Sequence, residues 1–195
     1  MNQSDKIRAA IAGYGNLGKG VELAIRQNPD IELVAVFTRR DPGKIGSSAP
    51  VFNVSQVENF RSNFDVMILC GGSATDLPEM GPKFSSVFNT VDSYDTHARI
   101  PEYFASIDSI SRKNKTLSLI STGWNPGLFS LARLLGQCVL PEGKDYTFWG
   151  KGVSQGHSDV IHRLPGVMNS IQYTVPVESA LERVHSGENP DLKTS

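Results

Sequence analysis

The run Gly13-Tyr14-Gly15-Asn16-Leu17-Gly18 constrains this chain more than any other feature. It follows Ile7-Arg8-Ala9-Ala10-Ile11-Ala12, a short apolar segment that reads as a buried strand, and it precedes Leu17, Val21, Ala24 and Ile25 at helical spacing. At such a strand-to-helix turn the three glycines have separate tasks. The first makes the turn, the second lets a pyrophosphate approach the backbone, and the third packs helix on strand. The helix start adds unpaired N–H groups and the positive end of the helix dipole. The G-x-G-x-x-G pattern alone is a weak signal; its position between strand and helix gives it weight.

The elements that follow fit one architecture. Asn28-Pro29-Asp30 ends the helix, and 31–37, rich in branched apolar residues, reads as a second strand. Further strands are predicted at 65–70, 87–91 and 116–120. Between the last two, Ile100, Phe104, Ile107 and Ile110 mark one face of a helix starting near Pro101. Strands separated by helices predict an α/β fold with a doubly wound, Rossmann-type parallel sheet.

The character changes after Gly123. Asn125 reads as an N-cap with Pro126 at the first helical position, opening a helix through Phe129, Leu131 and Leu135. A strand at 146–149, a glycine-rich loop to His157, a strand around 171–175 and a helix at 177–185 closed by Gly187 complete the chain. The domain boundary is expected near residues 123 to 126. Residues 1–123 would form the nucleotide domain and 124–195 a second, α+β portion. The second portion is small for an independent core, so it is expected to pack on the first, dimerise, or be incomplete.

Charge and composition narrow the partners. The net charge is −1 and the 19 basic residues, the Arg39-Arg40 pair among them, are largely scattered, which argues against nucleic acid or an anionic membrane as a partner. No apolar run approaches membrane-spanning length, and the polar start, Met1 to Lys6, predicts no secretory leader. Cys70 and Cys138 sit in apolar contexts and are expected to be buried thiols. A soluble cytoplasmic protein is the expectation.

The end of the second strand distinguishes two dinucleotides. A carboxylate there would accept hydrogen bonds from a ribose 2′-hydroxyl and repel a 2′-phosphate, but this chain has Thr38-Arg39-Arg40. Two guanidinium groups and a hydroxyl suit a phosphate, so NADP is expected over NAD; a solvated basic turn is the plainer alternative. Two further loops, Cys70-Gly71-Gly72-Ser73-Ala74-Thr75-Asp76 and Asp92-Ser93-Tyr94-Asp95-Thr96-His97, fall at strand carboxyl ends, where open α/β sheets bind ligands. Asp95 is either a carboxylate near the reacting centre or the N-cap of the helix after it, and His97 reads as a surface residue. In the stretch 148–159, glycine N–H groups, Ser154, Gln155 and His157 suit a small ligand bearing a carboxylate, with Trp149 as an apolar wall; an ordinary loop is an equal reading. No histidine and cysteine spacing fits a metal, and no G-x-S-x-G elbow supports a hydrolase.

Taken together, the glycine loop, Thr38-Arg39-Arg40, Gly72-Ser73-Ala74-Thr75-Asp76, Val91-Asp92-Ser93-Tyr94-Asp95, Ser121-Thr122-Gly123-Trp124-Asn125-Pro126-Gly127 and the 148–159 loop resemble the meso-diaminopimelate dehydrogenase family. The blocks are collinear over nearly the whole chain, and the last two are far more specific than the glycine loop. The resemblance implies a homodimeric, NADP-dependent oxidative deaminase. It would convert meso-2,6-diaminopimelate at its D-centre to L-2-amino-6-oxopimelate, in equilibrium with tetrahydrodipicolinate, plus ammonia, in lysine biosynthesis.

It also implies site residues. Gly13, Tyr14, Gly15, Asn16, Leu17 and Gly18 would line the NADP site with Thr38, Arg39, Arg40, Cys70, Gly71, Gly72, Ser73, Ser93, Tyr94, Asp95, Thr122 and Gly123. Asp95, Asn125, Trp149, Gln155, Gly156 and Thr174 would face the amino acid, Asp95 and Asn125 as the catalytic pair. The family usually has aspartate where this chain has Asn125, which accepts a hydrogen bond but carries no charge. The family's chains continue well past residue 195, where the rest of the substrate domain is expected. Two rival readings are a catalytically silent NADP-binding or dimerising module, favoured by the short length, and a dihydrodipicolinate-reductase-like enzyme sharing only the nucleotide half.

Overall fold

The computed structural model describes residues 6–143, 151–153, 158, 161–162 and 164–188. The chain divides into two compact units, Met1–Cys138 and Val139–Ser195.

The first unit holds a six-stranded sheet: β1 (Ile7–Ala12), β2 (Ile31–Thr38), β3 (Val51–Asn53), β4 (Val66–Leu69), β5 (Thr90–Asp92) and β6 (Ser118–Leu119). The spatial order is β3-β2-β1-β4-β5-β6, and every pairing is parallel. This is the doubly wound dinucleotide-binding order, with the reversal of direction between β1 and β4. Helix α1 (Asn16–Arg26) crosses from β1 to β2, α2 (Leu77–Ser85) from β4 to β5, and α3 (Ile100–Asn114) from β5 to β6. Helix α4 (Phe129–Val139) follows, with no buried residue; Leu131, Leu134, Leu135 and Val139 all face outward.

Strand alternation sorts the core onto two faces. Ala10, Ala12, Ala35 and Phe37 pack with Met67, Leu69, Leu77, Phe84, Tyr103 and Ile107 beneath α2 and α3. Ala9, Ile11 and Val36 pack with Ile25 of α1, Tyr14 and Cys70 on the other face. Because β1 is central and covered on both sides, its buried part, Ala9–Ala12, is continuously apolar rather than alternating, as parallel sheets require.

Several expectations need correction. Strand β5 begins at Thr90 rather than at residue 87, because the Val87 and Phe88 amides donate to the Phe84 carbonyl at 3.0 and 2.8 Å and close α2 instead. Phe104 is exposed; α3 buries Tyr103, Ile107 and Ser111. Asn125 is not an N-cap: Asn125 (ψ 101°) and Pro126 (ψ 158°) are extended, Gly127 has φ +128°, and the helix starts at Phe129. Cys138 is exposed, unlike Cys70.

In the second unit, β7 (Gly152–Val153) pairs antiparallel with β8 (Tyr173–Thr174), and α5 (Glu178–His185) is followed by Gly187 at φ +83°. The strand expected at 146–149 lies outside the described residues. No helix among the described residues is long and apolar enough to cross a membrane.

Candidate functional site

The loops singled out in the first unit all leave the carboxyl edge of its sheet, because parallel strands put all their carboxyl ends on one side. The glycine loop sits at the centre. Gly13, at φ +97°, donates its amide to the Phe37 carbonyl at 2.9 Å, and a Cβ there would lie 2.9 Å from the Cys70 carbonyl oxygen. A Cβ on Gly18 would lie 2.3 Å from the Gly13 carbonyl oxygen, so only glycine lets α1 seat against the turn. Gly15 is different: a Cβ there would meet nothing within 4 Å. Of the three glycines, it is the one whose missing side chain leaves space outside the protein. Helix α1 begins just after it with no side-chain cap and no acidic residue in its first turn, leaving its first N–H groups for an anion. Asn16 and Leu17 are exposed beside it.

The arginine pair flanks this loop at the end of β2. Thr38 is buried, and its hydroxyl accepts the Arg40 amide at 3.1 Å, shaping the turn rather than facing outward. The Arg40 guanidinium donates to the Tyr14 carbonyl. Arg39 is largely exposed and reaches across to Asp76, Nη2 to Oδ1 at 2.8 Å, so an ion pair joins the β2 end to the loop after β4.

Behind that loop, Cys70 is buried, and burial pushes its thiol up to about 12, so it stays neutral. Gly71 and Gly72 allow a tight turn against Asp76, whose Oδ2 accepts the Gly72 amide at 2.9 Å. Ser73 ties this loop to the next, its Oγ accepting the Asp95 amide at 2.8 Å.

The loop after β5 is built on Asp92, a buried carboxylate that sequence reading quoted without a role. Oδ1 accepts the Tyr94 and Ser121 amides at 3.0 and 3.1 Å, and Oδ2 accepts the Tyr103 hydroxyl at 2.7 Å. Its carbonyl accepts both the amide and the hydroxyl of Thr122, at 2.8 and 2.7 Å. Tyr103 stacks on buried Tyr94 at 4.1 Å, and burial raises its hydroxyl well above the usual range. Ser93 is half-buried beside them, whereas Asp95 and Gly123 are exposed on the rim. Asp95 caps no helix: the turn before α3 starts at Thr96. His97 is a surface residue.

Asn125 accepts a hydrogen bond at Oδ1 from Arg133 of α4, 3.0 Å away. Thr174 lies in β8, opposite Gly152, in the second unit. Trp149, Gln155 and Gly156 lie outside the described residues. Sequence reading missed the supporting groups, namely Glu22, Asp76 as the Arg39 partner, Asp92, Tyr103 and Arg133. No local signal marks them, since each partner is distant in sequence or sits on an ordinary helix. No group of three or more potential metal ligands occurs among the described residues.

Residues 123–195 match the diaminopimelic acid dehydrogenase C-terminal domain. The meso-diaminopimelate D-dehydrogenase of Ureibacillus thermosphaericus is 61% identical over 191 residues, 97% of this chain and 59% of that protein. Among solved structures, the C. glutamicum DAP dehydrogenase in complex with DAP aligns with a TM-score of 0.87 at 46% identity, over 94% of this chain and 57% of that one. An engineered D-amino acid dehydrogenase bound to NADP+ aligns at 0.86 and 45% identity, over 96% of this chain and 58% of that one. The chain thus spans about three-fifths of the length of the relatives it matches. Over that stretch, it is similar in sequence to the meso-diaminopimelate D-dehydrogenases.

Proposed function

We propose that this chain provides the NADP-binding domain, residues 1–123, and part of the substrate domain, 124–195, of a dehydrogenase that oxidatively deaminates meso-2,6-diaminopimelate at its D-centre. The products are L-2-amino-6-oxopimelate and ammonia, and the protein acts as a cytoplasmic homodimer. The observation that carries the reading is the arginine pair beside an open glycine loop. Arg39 and Arg40 stand at the β2 end, where a 2′-phosphate is recognised, and Gly15 leaves space where a pyrophosphate must pass. The two solved relatives aligned above support it, one bound to NADP+ and one to DAP.

The residues present fit NADP. The β2 end would take the 2′-phosphate, the α1 start the pyrophosphate, and the Cys70–Ser73, Ser93–Asp95 and Thr122–Gly123 loops the nicotinamide half. NADP, when bound, supplies the hydride acceptor. Asp95 is exposed at that half, its amide held by Ser73 and its carboxylate without a partner among the described residues, free to accept a hydrogen bond from the substrate amine and take its proton. The amine must be neutral for its carbon to lose hydride, so a carboxylate here assists the step rather than only binding the substrate. The Arg133 hydrogen bond fixes the side chain of Asn125, leaving its amide N–H group to donate toward a substrate carboxylate. Trp149, Gln155, Gly156 and Thr174 complete the amino-acid site in this proposal. The test is titration of the chain with NADP and NAD, followed by an assay of NADPH formation from meso-diaminopimelate by a form extended to the length of its relatives. Clear NADP preference and DAP-dependent NADPH formation are expected; equal affinities would refute the cofactor assignment.

A further inference from the structure

Glu22 is a glutamate in mid-helix that turns inward. It is 4% exposed on α1, in a position where sequence pattern predicts a solvated side chain. A buried carboxylate is costly unless its lone pairs are filled, and here they are. Oε1 accepts the amide and hydroxyl of Ser48 at 2.8 and 2.5 Å, and Oε2 accepts the Tyr14 hydroxyl. That hydroxyl also lies 3.2 Å from the Gly46 carbonyl oxygen. Burial pushes Glu22 up, but the hydrogen bonds from Ser48 and Tyr14 outweigh it and bring the carboxyl down to about 2, so it is ionised at neutral pH.

The network has a direction. Tyr14 sits between Gly13 and Gly15, its ring is buried, and its own carbonyl accepts the Arg40 guanidinium. The segment from Arg40 to Ser48 is therefore held at both ends, at Arg40 by the Tyr14 carbonyl and at Ser48 by Glu22, which also fixes the Tyr14 ring. The glycines themselves are placed otherwise, Gly13 by the Phe37 carbonyl and Gly18 by its fit against Gly13.

We infer that Glu22 is a positioning residue for 2′-phosphate recognition, acting through Tyr14 and Ser48 to set Arg40 and the segment that follows it relative to the glycine loop. It touches no ligand. The inference rests on the NADP reading above and adds to it the origin of the selectivity: a carboxylate buried on the far side of the loop, as well as the two arginines. Because the network does not place the glycines, its loss should spare pyrophosphate binding and harm discrimination between the two dinucleotides.

Dissociation constants for NADP and NAD, measured on wild type, Glu22→Gln, Ser48→Ala, Arg40→Ala and the Glu22→Gln/Arg40→Ala pair, test this. The glutamine amide cannot accept from both Tyr14 and Ser48, so Glu22→Gln should weaken NADP about tenfold while NAD changes less than about twofold. Ser48→Ala keeps the carboxylate and should give a smaller loss of the same selectivity, about threefold; it decides the question if Glu22→Gln fails to fold. In the Arg40→Ala background Glu22→Gln should add less than about twofold, because the two act through one path. Equal weakening of both dinucleotides, an unchanged NADP constant, or full additivity with Arg40→Ala would overturn the positioning role while leaving the arginine clamp standing. A wild type that does not prefer NADP would overturn the clamp, and this inference with it.

Discussion

Replacing Gly15 by alanine should separate binding from folding. The new Cβ would meet no heavy atom within 4 Å, and Gly15 has φ −87° and ψ −156°, an extended conformation open to alanine. Alanine restricts the unfolded chain, which adds about 0.4–1 kcal/mol, and it is a poorer residue before a helix, which subtracts a similar amount. Stability should therefore move by less than about 1 kcal/mol. The methyl group, however, occupies the space through which a pyrophosphate reaches the loop and the α1 amides. Losing one hydrogen bond to a charged oxygen, about 1.5–3 kcal/mol, weakens NADP by about tenfold to somewhat over a hundredfold. Two alanine variants on α1 bracket the result. At Gly18 the Cβ would lie 2.3 Å from the Gly13 carbonyl oxygen, forcing α1 off β1, so stability should fall by about 1–3 kcal/mol or more. Gly20 is exposed with open space around it, so alanine there should stabilise α1 by up to about 1 kcal/mol and leave NADP binding untouched. Chemical denaturation and NADPH titration by fluorescence measure both quantities. If Gly15→Ala binds NADP as wild type does, the pyrophosphate does not pass at Gly15 and the placement of the cofactor is wrong.

Arg39→Ala/Arg40→Ala should weaken NADP on the order of a hundredfold and leave NAD within about twofold, read by calorimetric titration of both. In a form that turns over meso-diaminopimelate, Asp95→Asn should lower turnover on the order of a hundredfold with little change in the NADP constant; unchanged turnover would remove Asp95 from the chemistry. Glu22 has an ordinary pKa of 4.5 but is held at about 2 in the folded chain, so its contribution is fully present above 4.5 and is lost as pH falls toward 2. That contribution is roughly 3 kcal/mol, and Glu22→Gln should flatten the acid limb of a stability profile measured by denaturation between those values.

The β1-α1-β2 unit was legible because its signals are local: a buried strand, a glycine turn, a helical apolar period and a proline stop all lie within 31 consecutive residues or so, the span of such a unit. Strand β3 was not, since three residues carry no period and Phe52 owes its strand state to pairing with Phe37. At Asn125 a strong local rule failed. Asparagine before proline resembles a helix start, yet the turn at Gly127 holds Pro126 extended and delays the helix to Phe129. The cluster of loops at the carboxyl edge was placed by the order of the strands, which follows from the alternation. What holds those loops together was invisible. Glu22 looks like any helix-surface glutamate until Ser48, 26 residues away, is brought beneath it, and Arg39 meets Asp76 across 37 residues. Such pairs arise only once the sheet has assembled.

The knot around Asp92 bears on how the loops at the carboxyl edge behave before any ligand arrives. Amides in loops ordinarily exchange with solvent deuterium quickly, since brief local openings expose them. The amides of Tyr94, Ser121 and Thr122 belong to no strand, yet each ends on an oxygen of Asp92, a residue 2% exposed that Tyr103 also holds. Releasing any one of them requires opening a hub shared by β5, α3 and the segment after β6. Their exchange should therefore be as slow as that of the adjoining strand amides, while the amide of Gly123, exposed on the rim, exchanges freely. A floor frozen in this way has already met much of the entropic cost of its own ordering, so binding there would show a small entropy change and leave the rim to move.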